Sequence, residues 1–369
     1  MKNYDPSQFF FPHGPAPLPA NAPENFSPQQ HTAYAVAQAV ESLSPVTVST
    51  RSMSPQVAGR LLGYMLLEAP TAEGRDNVTF EIASCSGDET RLKQLAQLYA
   101  KVYIQTFKAN GGRTPGDMDS DEESSSDLSE DEEDEEYTPP SSMEETHWET
   151  KQNASKRDRR QCMLSRYHDA QYMDDLSHFE PKHPLLSVQE PFCYVREARI
   201  IPKRQVDIAD GKRQAKHEYS TRASSILSRF GKIDIFDELN VDDLSNMMTL
   251  NVSIYEFLDG LGMYLTAVEG RPNTYKIEVL HPPFLNMIPE NPVTFTTPDE
   301  KSLPLPSPAL LALHRACARV AHLSGAGRYV HDLLDMDDTE SDVMEPNCVH
   351  QVNGLLQGLS MNSLPHTNG

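Results

Sequence analysis

The stretch CYVREARIIPKR, residues 193–204, combines the apolar content of a short strand with an unusual amount of positive charge. Four basic residues fall within it: Arg196, Arg199, Lys203 and Arg204. Lys212 and Arg213 follow, and residues 196–232 together hold ten Lys or Arg against four Asp or Glu. Such a patch suits contacts with phosphate groups, and it equally suits a solvated protein face. The sequence therefore predicts either a nucleic-acid-binding surface or a charged surface without a ligand.

The acidity of the chain comes mostly from one segment. The formal net charge is −22, and residues 117–136 (DMDSDEESSSDLSEDEEDEE) contain 13 acidic residues and no basic ones. A run of this composition cannot bury enough apolar surface to fold alone, so we predict a disordered linker. Ser120 and Ser129 precede acidic residues and are candidates for phosphorylation by an acidophilic kinase; an unmodified, solvated linker is the alternative. The run is also a possible docking segment for basic proteins.

Cysteine usage and hydropathy argue against several classes of protein. The five cysteines include no CxxC pair, so neither a disulfide framework nor a cysteine-ligated zinc site is indicated. The N-terminus is too rich in proline for a signal peptide, and no stretch reaches the ~18 apolar residues that span a membrane. We therefore expect an intracellular protein with no membrane partner. Lys151 and the cluster KRDRR, residues 156–160, favour the nucleus over the cytoplasm.

Composition and periodicity divide the chain into five regions. They are a disordered Pro/Ala-rich N-terminus (1–53), a helical hairpin (54–113), an acidic disordered linker (114–150), a second ordered region (151–334) and a loose C-terminal tail (335–369). The N-terminus contains one short helix near Tyr34 to Leu43. In the hairpin, one helix begins at Ser54 and another runs from Asp88 to Phe107, and residues 78–82 form an extended connection between them.

The second ordered region mixes helices and strands. A charged helix is predicted near Gln214 to Phe230, and MYLTAV and TYKIEVL read as a β-hairpin around a turn at residues 270–273. The last predicted helix has Ser307 as its N-cap, Pro308 in its first turn and Gly325 beyond its end. Its core face is predicted to contain Leu310, Leu313, Cys317 and Val320. The whole pattern predicts an α+β fold.

Six segments, in this order, resemble a fungal family of proteins with an HNH nuclease domain: LLGYMLLEAP, GRDNVTFEI, FKANGGRTP, KRDRRQC, DLSNMMTL and LLALHRACARVAHLSGAG. The resemblance covers residues 54–334, and the last segment is its most specific part. It implies a ββα-metal core with extra helices and a β-hairpin. It also implies hydrolysis of phosphodiesters with one divalent metal, which would be Mg²⁺, Mn²⁺, Zn²⁺ or Ni²⁺.

Three positions carry the chemistry in that family, and this sequence departs from two of them. An Ala-His-Ile-Ile strand supplies the general base, an Asn on the following loop holds the strand, and a His on the next helix binds the metal. Here residues 198–201 read Ala-Arg-Ile-Ile, so Arg199 takes the place of the base. Asn246 in DLSNMM matches the Asn, and Tyr255 in SIYEFLD takes the place of the metal-binding His.

These departures predict little or no nuclease activity and no bound metal. Arg stays protonated at any relevant pH, and a neutral tyrosine is a poor ligand for a divalent cation. The loss of a general base alone costs about 10²–10⁴ in rate. Arg199 then either binds a phosphate or pairs with an acid such as Glu197 or Asp243.

Three functions remain open at this point. The first is a catalytically silent HNH-like protein that binds nucleic acid, DNA among the candidates, through residues 196–232. The second is an active, metal-dependent DNA endonuclease. The third is a scaffold whose acidic run recruits basic proteins.

Overall fold

The computed structural model describes residues 14–44, 53–104, 142–187, 191–202, 227–232 and 243–330. Helices and short strands alternate within these ranges, so the fold is α+β, as the sequence predicts. Several predicted features lie outside the described residues: the acidic run with Ser120 and Ser129, the basic residues Lys203, Arg204, Lys212 and Arg213, and the tail 335–369. Within the described part, no helix has the length and apolar content that a membrane crossing needs.

The α-helices begin at residues that cap them. They are α1 (Pro28–Glu41), α2 (Pro55–Glu68), α3 (Ala72–Ser84), α4 (Glu89–Tyr99), α5 (Ser142–Arg157), α6 (Ala170–Phe179), α7 (Val252–Asp259) and α8 (Pro308–Ser324). A π-helical turn, Ala100–Ile104, extends α4. Side chains of Ser27, Ser54, Thr71 and Asp88 accept hydrogen bonds from backbone N–H groups in the first turns of α1 to α4. Each of these four helices therefore has a defined start.

The strands form three small sheets. They are β1 (His168–Asp169), β2 (Phe192–Cys193), β3 (Val195–Arg199), β4 (Met247–Asn251), β5 (Met263–Ala267), β6 (Thr274–Val279) and β7 (Val293–Thr294). β1 pairs with β2 in parallel, β3 with β4 antiparallel, and β5–β6–β7 form an antiparallel sheet. The predicted hairpin is confirmed as β5 and β6, and Gly270 and Asn273 in its turn have positive φ angles of 69° and 53°.

The core is completed by α8, which packs against α2 and β5. Ser307 caps α8, Gly325 ends it with a left-handed φ of 81°, and the four residues predicted for its core face are buried. The Arg319 guanidinium binds the Glu68 carboxylate of α2 with an Nε–Oε2 distance of 2.7 Å. The Ala16 N–H donates to the Leu323 carbonyl at 2.9 Å. The N-terminal segment and the last helix are thus parts of one core.

Two histidines of α8 fix the position of α7. His314 Nε2 donates to the Leu258 carbonyl at 2.9 Å, and His322 Nε2 donates to the Leu261 carbonyl at 2.8 Å. Burial lowers the pKa of His314 to about 4, so its imidazole is neutral at physiological pH. Both histidines therefore have a structural role in packing α8 against α7 and the turn that follows it.

The predicted region boundaries need correction. The N-terminus was expected to be disordered to residue 53, but α1 lies between Pro28 and Glu41 and buries Tyr34 and Val40 in the core. The acidic linker was expected to reach residue 150, but α5 begins at Ser142. The N-terminal helices and the later region also share one hydrophobic cluster, so they do not form separate units.

The expected extended connection at residues 78–82 is wrong, because these residues lie inside α3. The motif VTFEI alternates apolar and polar residues, which imitates a strand over five positions. In the structure Val78 and Ile82 are the buried pair, four residues apart on one helical face, and Phe80 is exposed. The predicted two-helix hairpin is therefore a set of three α-helices.

Candidate nucleic-acid interface

The strands β3 and β4 and the helix α7 form a compact strand–strand–helix arrangement. Val195 pairs with Asn251 and Arg199 pairs with Met247 across the two strands. The helix α7 starts at Val252, directly after β4, and Asn251 caps it by accepting a hydrogen bond from Ser253 N at 2.9 Å. This is the order of elements that the HNH resemblance implies.

Asn246 fixes the end of β3 to the start of β4. Its side-chain amide donates to the Ile201 carbonyl and accepts from the Ile201 N–H, both at 2.9 Å. Its own carbonyl accepts from the Ile200 N–H at 2.8 Å. Asn246 is fully buried, so these bonds are not exchanged with water. The residue holds the chain just after Arg199 in place, as the resemblance implies for the family Asn.

One face of the β3–β4 sheet is covered by α5, whose last residue, Arg157, is fully buried. Arg157 uses all five of its N–H donors on oxygen acceptors. Its bonds reach both carboxylate oxygens of Asp158 (2.7 and 3.0 Å) and the carbonyls of Leu244 (2.9 Å), Pro304 (3.0 Å) and Met247 (2.7 Å). Asp158 in turn accepts from the Thr249 N–H of β4 at 2.9 Å. This pair joins α5 to the sheet.

The burial of Arg157 and Asp158 changes the meaning of the KRDRR cluster. The sequence analysis took residues 156–160 as an exposed basic peptide that favours a nuclear location. In the structure two of these five residues are inside the protein. A receptor that recognises an extended basic peptide cannot reach Arg157, so the cluster does not support that location.

Glu197 and Arg199 lie on the face that α5 covers, because alternate strand residues share a face and Met247, opposite Arg199, packs with Ala154 of α5. Both residues are half-buried. Burial raises the pKa of the Glu197 carboxyl above its usual value, against the lowering effect of Lys151. Asp243, the other acid considered for Arg199, accepts from Ser245 N at 2.8 Å and caps the turn before β4.

The other face of the sheet packs against the main core through the fully buried Ala198, Met248 and Leu250, and it is exposed only at the N-terminal end of β3, beside α7. Phe192, Tyr194 and Arg196 are exposed at every second position, whereas Cys193 and Val195 between them pack against the core. The Arg196 guanidinium lies over the Tyr255 ring of α7, 5.5 Å from the ring centre. The structure therefore places Tyr255 beside Arg196, and on the opposite side of the sheet from Arg199.

A cleft of about 470 Å³ opens next to the start of β2. Its lining includes Arg159, Arg166, Gln161 and Tyr167, together with Pro191, the residue before β2. Both of these arginines adopt left-handed backbone angles, with φ of 58° and 62°. Asp158 is the acidic residue in this lining, and its carboxylate is already bonded to Arg157. The cleft therefore carries net positive charge.

The residues at the two departing positions do not fit the divalent metal that the resemblance implies. Arg199 is a permanent cation without a lone pair to donate, and the Arg196 guanidinium over the Tyr255 ring would repel a divalent cation bound at that phenol. Within the described ranges no group of three or more His, Cys, Asp or Glu side chains could hold a metal ion.

Two features of this region were not predicted from the sequence. One is the structural role of Arg157 and Asp158, for which a charged run gives no local signal. The other is the exposed aromatic pair Phe192 and Tyr194. The period-two pattern of FCYVR was present in the sequence and could have indicated an outward-facing row of residues.

Comparisons of this chain with protein-family models, with curated proteins and with solved structures give no match. The resemblance to the HNH family therefore rests on the residue motifs alone.

Proposed function

We propose that this protein binds nucleic acid at the surface formed by β3, β4 and α7, and that it hydrolyses phosphodiesters weakly or not at all. One observation carries the proposal. A strand held by the buried Asn246 exposes Arg196 beside α7, and on its opposite side it carries the half-buried Arg199, where the resemblance would place a catalytic histidine.

The chemistry of Arg199 and Tyr255 argues against efficient hydrolysis. A guanidinium cannot take a proton from an attacking water, and no histidine occupies the base position. The phenol of Tyr255 packs against Arg196, and a phenol is a poor replacement for the imidazole ligand of a divalent cation. These changes remove proton abstraction and metal binding, and they leave the positive charge that attracts the substrate.

The arginine side chains of β3 are well suited to bind phosphate. A guanidinium offers a planar set of donors that matches two phosphate oxygens, and it keeps its charge at every relevant pH. The stacking of Arg196 on Tyr255 limits the orientations of its guanidinium. The binding energy of such a surface comes largely from counterion release, so affinity should fall steeply as salt rises.

A plasmid-nicking assay with Mg²⁺, Mn²⁺, Zn²⁺ or Ni²⁺ tests the catalytic half of the proposal. The natural protein is expected to leave the plasmid intact. The double variant Arg199→His, Tyr255→His restores the residue types of the family, but it is also expected to leave the plasmid intact, because the two side chains lie on opposite sides of the sheet. If the natural protein nicks the plasmid and a chelator stops it, an active endonuclease is the better description.

Fluorescence anisotropy with a labelled oligonucleotide tests the binding half. Arg196→Gln is expected to weaken binding several-fold and to reduce the salt slope by about one unit. The matched control is Arg271→Gln, which removes the same charge from the exposed β5–β6 turn and should leave affinity unchanged. Equal effects of the two variants would mean that the binding is not located at β3.

A further inference from the structure

The outward row of β2 and β3 is unusual because it exposes two large aromatic side chains next to each other. Phe192 is 67% exposed and Tyr194 is 71% exposed. Arg196 follows on the same face, two residues further along. Single exposed apolar residues are common on protein surfaces, but a row of aromatic, aromatic and arginine at consecutive outward positions is a pattern associated with ligand binding.

The spacing of this row fits stacked bases. Extended backbone rises about 3.4 Å per residue, so Phe192 in β2 and Tyr194, the single residue between β2 and β3, are about 7 Å apart along the chain. Bases stack at intervals of about 3.4 Å, so one base fits between two such rings, or one base can stack on each. A phenyl and a phenol ring both offer flat faces that accept any base, which gives binding without strong sequence preference.

The charges around the row favour an anionic partner over an apolar protein surface. Arg196 stands at one end, with its guanidinium over Tyr255. At the other end Pro191 borders the positively charged cleft that contains Arg159 and Arg166. Phosphates of a strand whose bases contact Phe192 and Tyr194 would therefore meet positive charge on both sides.

We infer that Phe192, Tyr194 and Arg196 form a stacking platform for unpaired bases, so that the preferred ligand is single-stranded nucleic acid. The inference rests on the proposed nucleic-acid binding and narrows it to one class of ligand. In a duplex the faces of the bases are covered by their neighbours, and only the phosphates and groove edges remain available. The aromatic residues should therefore contribute to single-strand binding and not to duplex binding.

Anisotropy with the full chain tests the platform on three probes of about 20 nucleotides, longer than the ~4–16 nucleotides of typical single-strand sites. They are an oligothymidylate, the corresponding oligouridylate, and a DNA duplex. Phe192→Ala and Tyr194→Ala are each expected to raise the dissociation constant for the single strands about 5- to 150-fold and to leave the duplex value unchanged. Comparing the first two probes shows whether DNA or RNA is the better source of unpaired bases.

Two control variants separate stacking from other effects. Tyr194→Phe keeps the ring and loses the hydroxyl, so it should bind single strands like the natural protein. Phe80→Ala removes a half-exposed aromatic ring from α3, in the helical part of the protein, and should change nothing. Circular dichroism checks that every variant is folded.

Several results would overturn the inference. If Phe192→Ala and Tyr194→Ala bind single strands normally while Arg196→Gln weakens binding, the platform is wrong and the proposed function stands. If no probe binds, both are wrong. If Phe192→Ala instead dissociates a dimer seen by sedimentation, the row is a protein–protein interface.

Discussion

The two faces of the β3–β4 sheet both carry arginine, and they use it in different ways. On the face covered by α5, Arg157 is fully buried and donates all five of its N–H groups to protein oxygens. At the exposed edge of the other face, Arg196 stacks on Tyr255. The first arginine is bonded within the protein, and the second remains accessible to solvent. Positive charge in a sequence therefore indicates a binding surface only where the charge remains accessible.

Replacing Arg157 by Met should give the largest loss of stability. The substitution leaves Asp158 buried without its cation and removes three bonds to carbonyl groups, so we expect a loss of about 3–5 kcal/mol in the free energy of unfolding. Urea denaturation measures it. Arg159→Met, two residues away on an exposed side chain, should change stability by about 0.5 kcal/mol or less. Similar losses in both variants would contradict the distinction between the faces.

Asn246→Ala should have the next largest effect. It leaves the buried N–H and carbonyl of Ile201 without partners, which costs about 2–4 kcal/mol. Asn291 provides the matched control, because it makes the same pair of bonds to Ile277 at 2.9 and 2.8 Å but is only half-buried. Water can replace the lost bonds there, so Asn291→Ala should cost less and should leave oligonucleotide binding unaffected. A greater loss of stability in Asn291→Ala than in Asn246→Ala would contradict the proposed role of Asn246.

Glu81 on α3 is a buried ionisable residue outside the β3–β4 sheet, and its replacement provides a further test. Its carboxylate binds the Arg229 guanidinium at 2.8 Å and accepts a bond from the Tyr99 hydroxyl, yet burial raises its pKa from 4.5 to about 7. The folded state therefore holds the Glu81 proton more tightly than the unfolded state does. The contribution of Glu81 to the free energy of unfolding is full below pH 4.5, and it is lost as pH rises through about 7.

We expect this loss to amount to about 1–3 kcal/mol between pH 4.5 and 8. Glu81→Gln should remove that part of the pH dependence, measured as the difference from the natural protein in urea denaturation. Glu73→Gln, at an exposed position on the same helix, should follow the natural curve. An unchanged pH profile in Glu81→Gln would show that the ion pair outweighs burial.

Arg196→Gln should have the smallest effect on stability. The guanidinium loses only an exposed cation–π contact, worth about 0.5–1 kcal/mol. Its thermal unfolding should therefore stay close to that of Arg271→Gln, although the two variants are expected to differ in oligonucleotide affinity. A loss comparable to that of Arg157→Met would mean that the outward face is also structural.

The sequence predicted those parts of the fold that are specified locally. Ser307, Pro308 and Gly325 mark the ends of α8, and the turn at residues 270–273 identifies the β5–β6 hairpin. These features need few contacts that are distant in the chain. Asn246 is different, because its bonds to Ile201 span 45 residues, and it could be placed only through the motif of the resemblance.

The remaining parts depend on distant contacts. Arg157 binds carbonyls that lie 87 to 147 residues away, so nothing near it in the chain distinguishes it from an exposed basic residue. Likewise α1 lies in a Pro-rich stretch and becomes part of the core only because α2 covers it. Gly59 permits that contact, since a Cβ there would lie 2.2 Å from the Glu41 backbone nitrogen.

The packing of α8 against α2 also determines when the protein can fold during synthesis. The bond between Arg319 and Glu68 joins residues 251 positions apart. At a translation rate of about 5–20 residues per second, α2 leaves the ribosome roughly 13–50 seconds before its partner helix. During that interval the side of α2 that packs against α8, which includes Glu68, has no partner helix to cover it. The nascent chain is therefore expected to depend on chaperones until the last described helix has emerged.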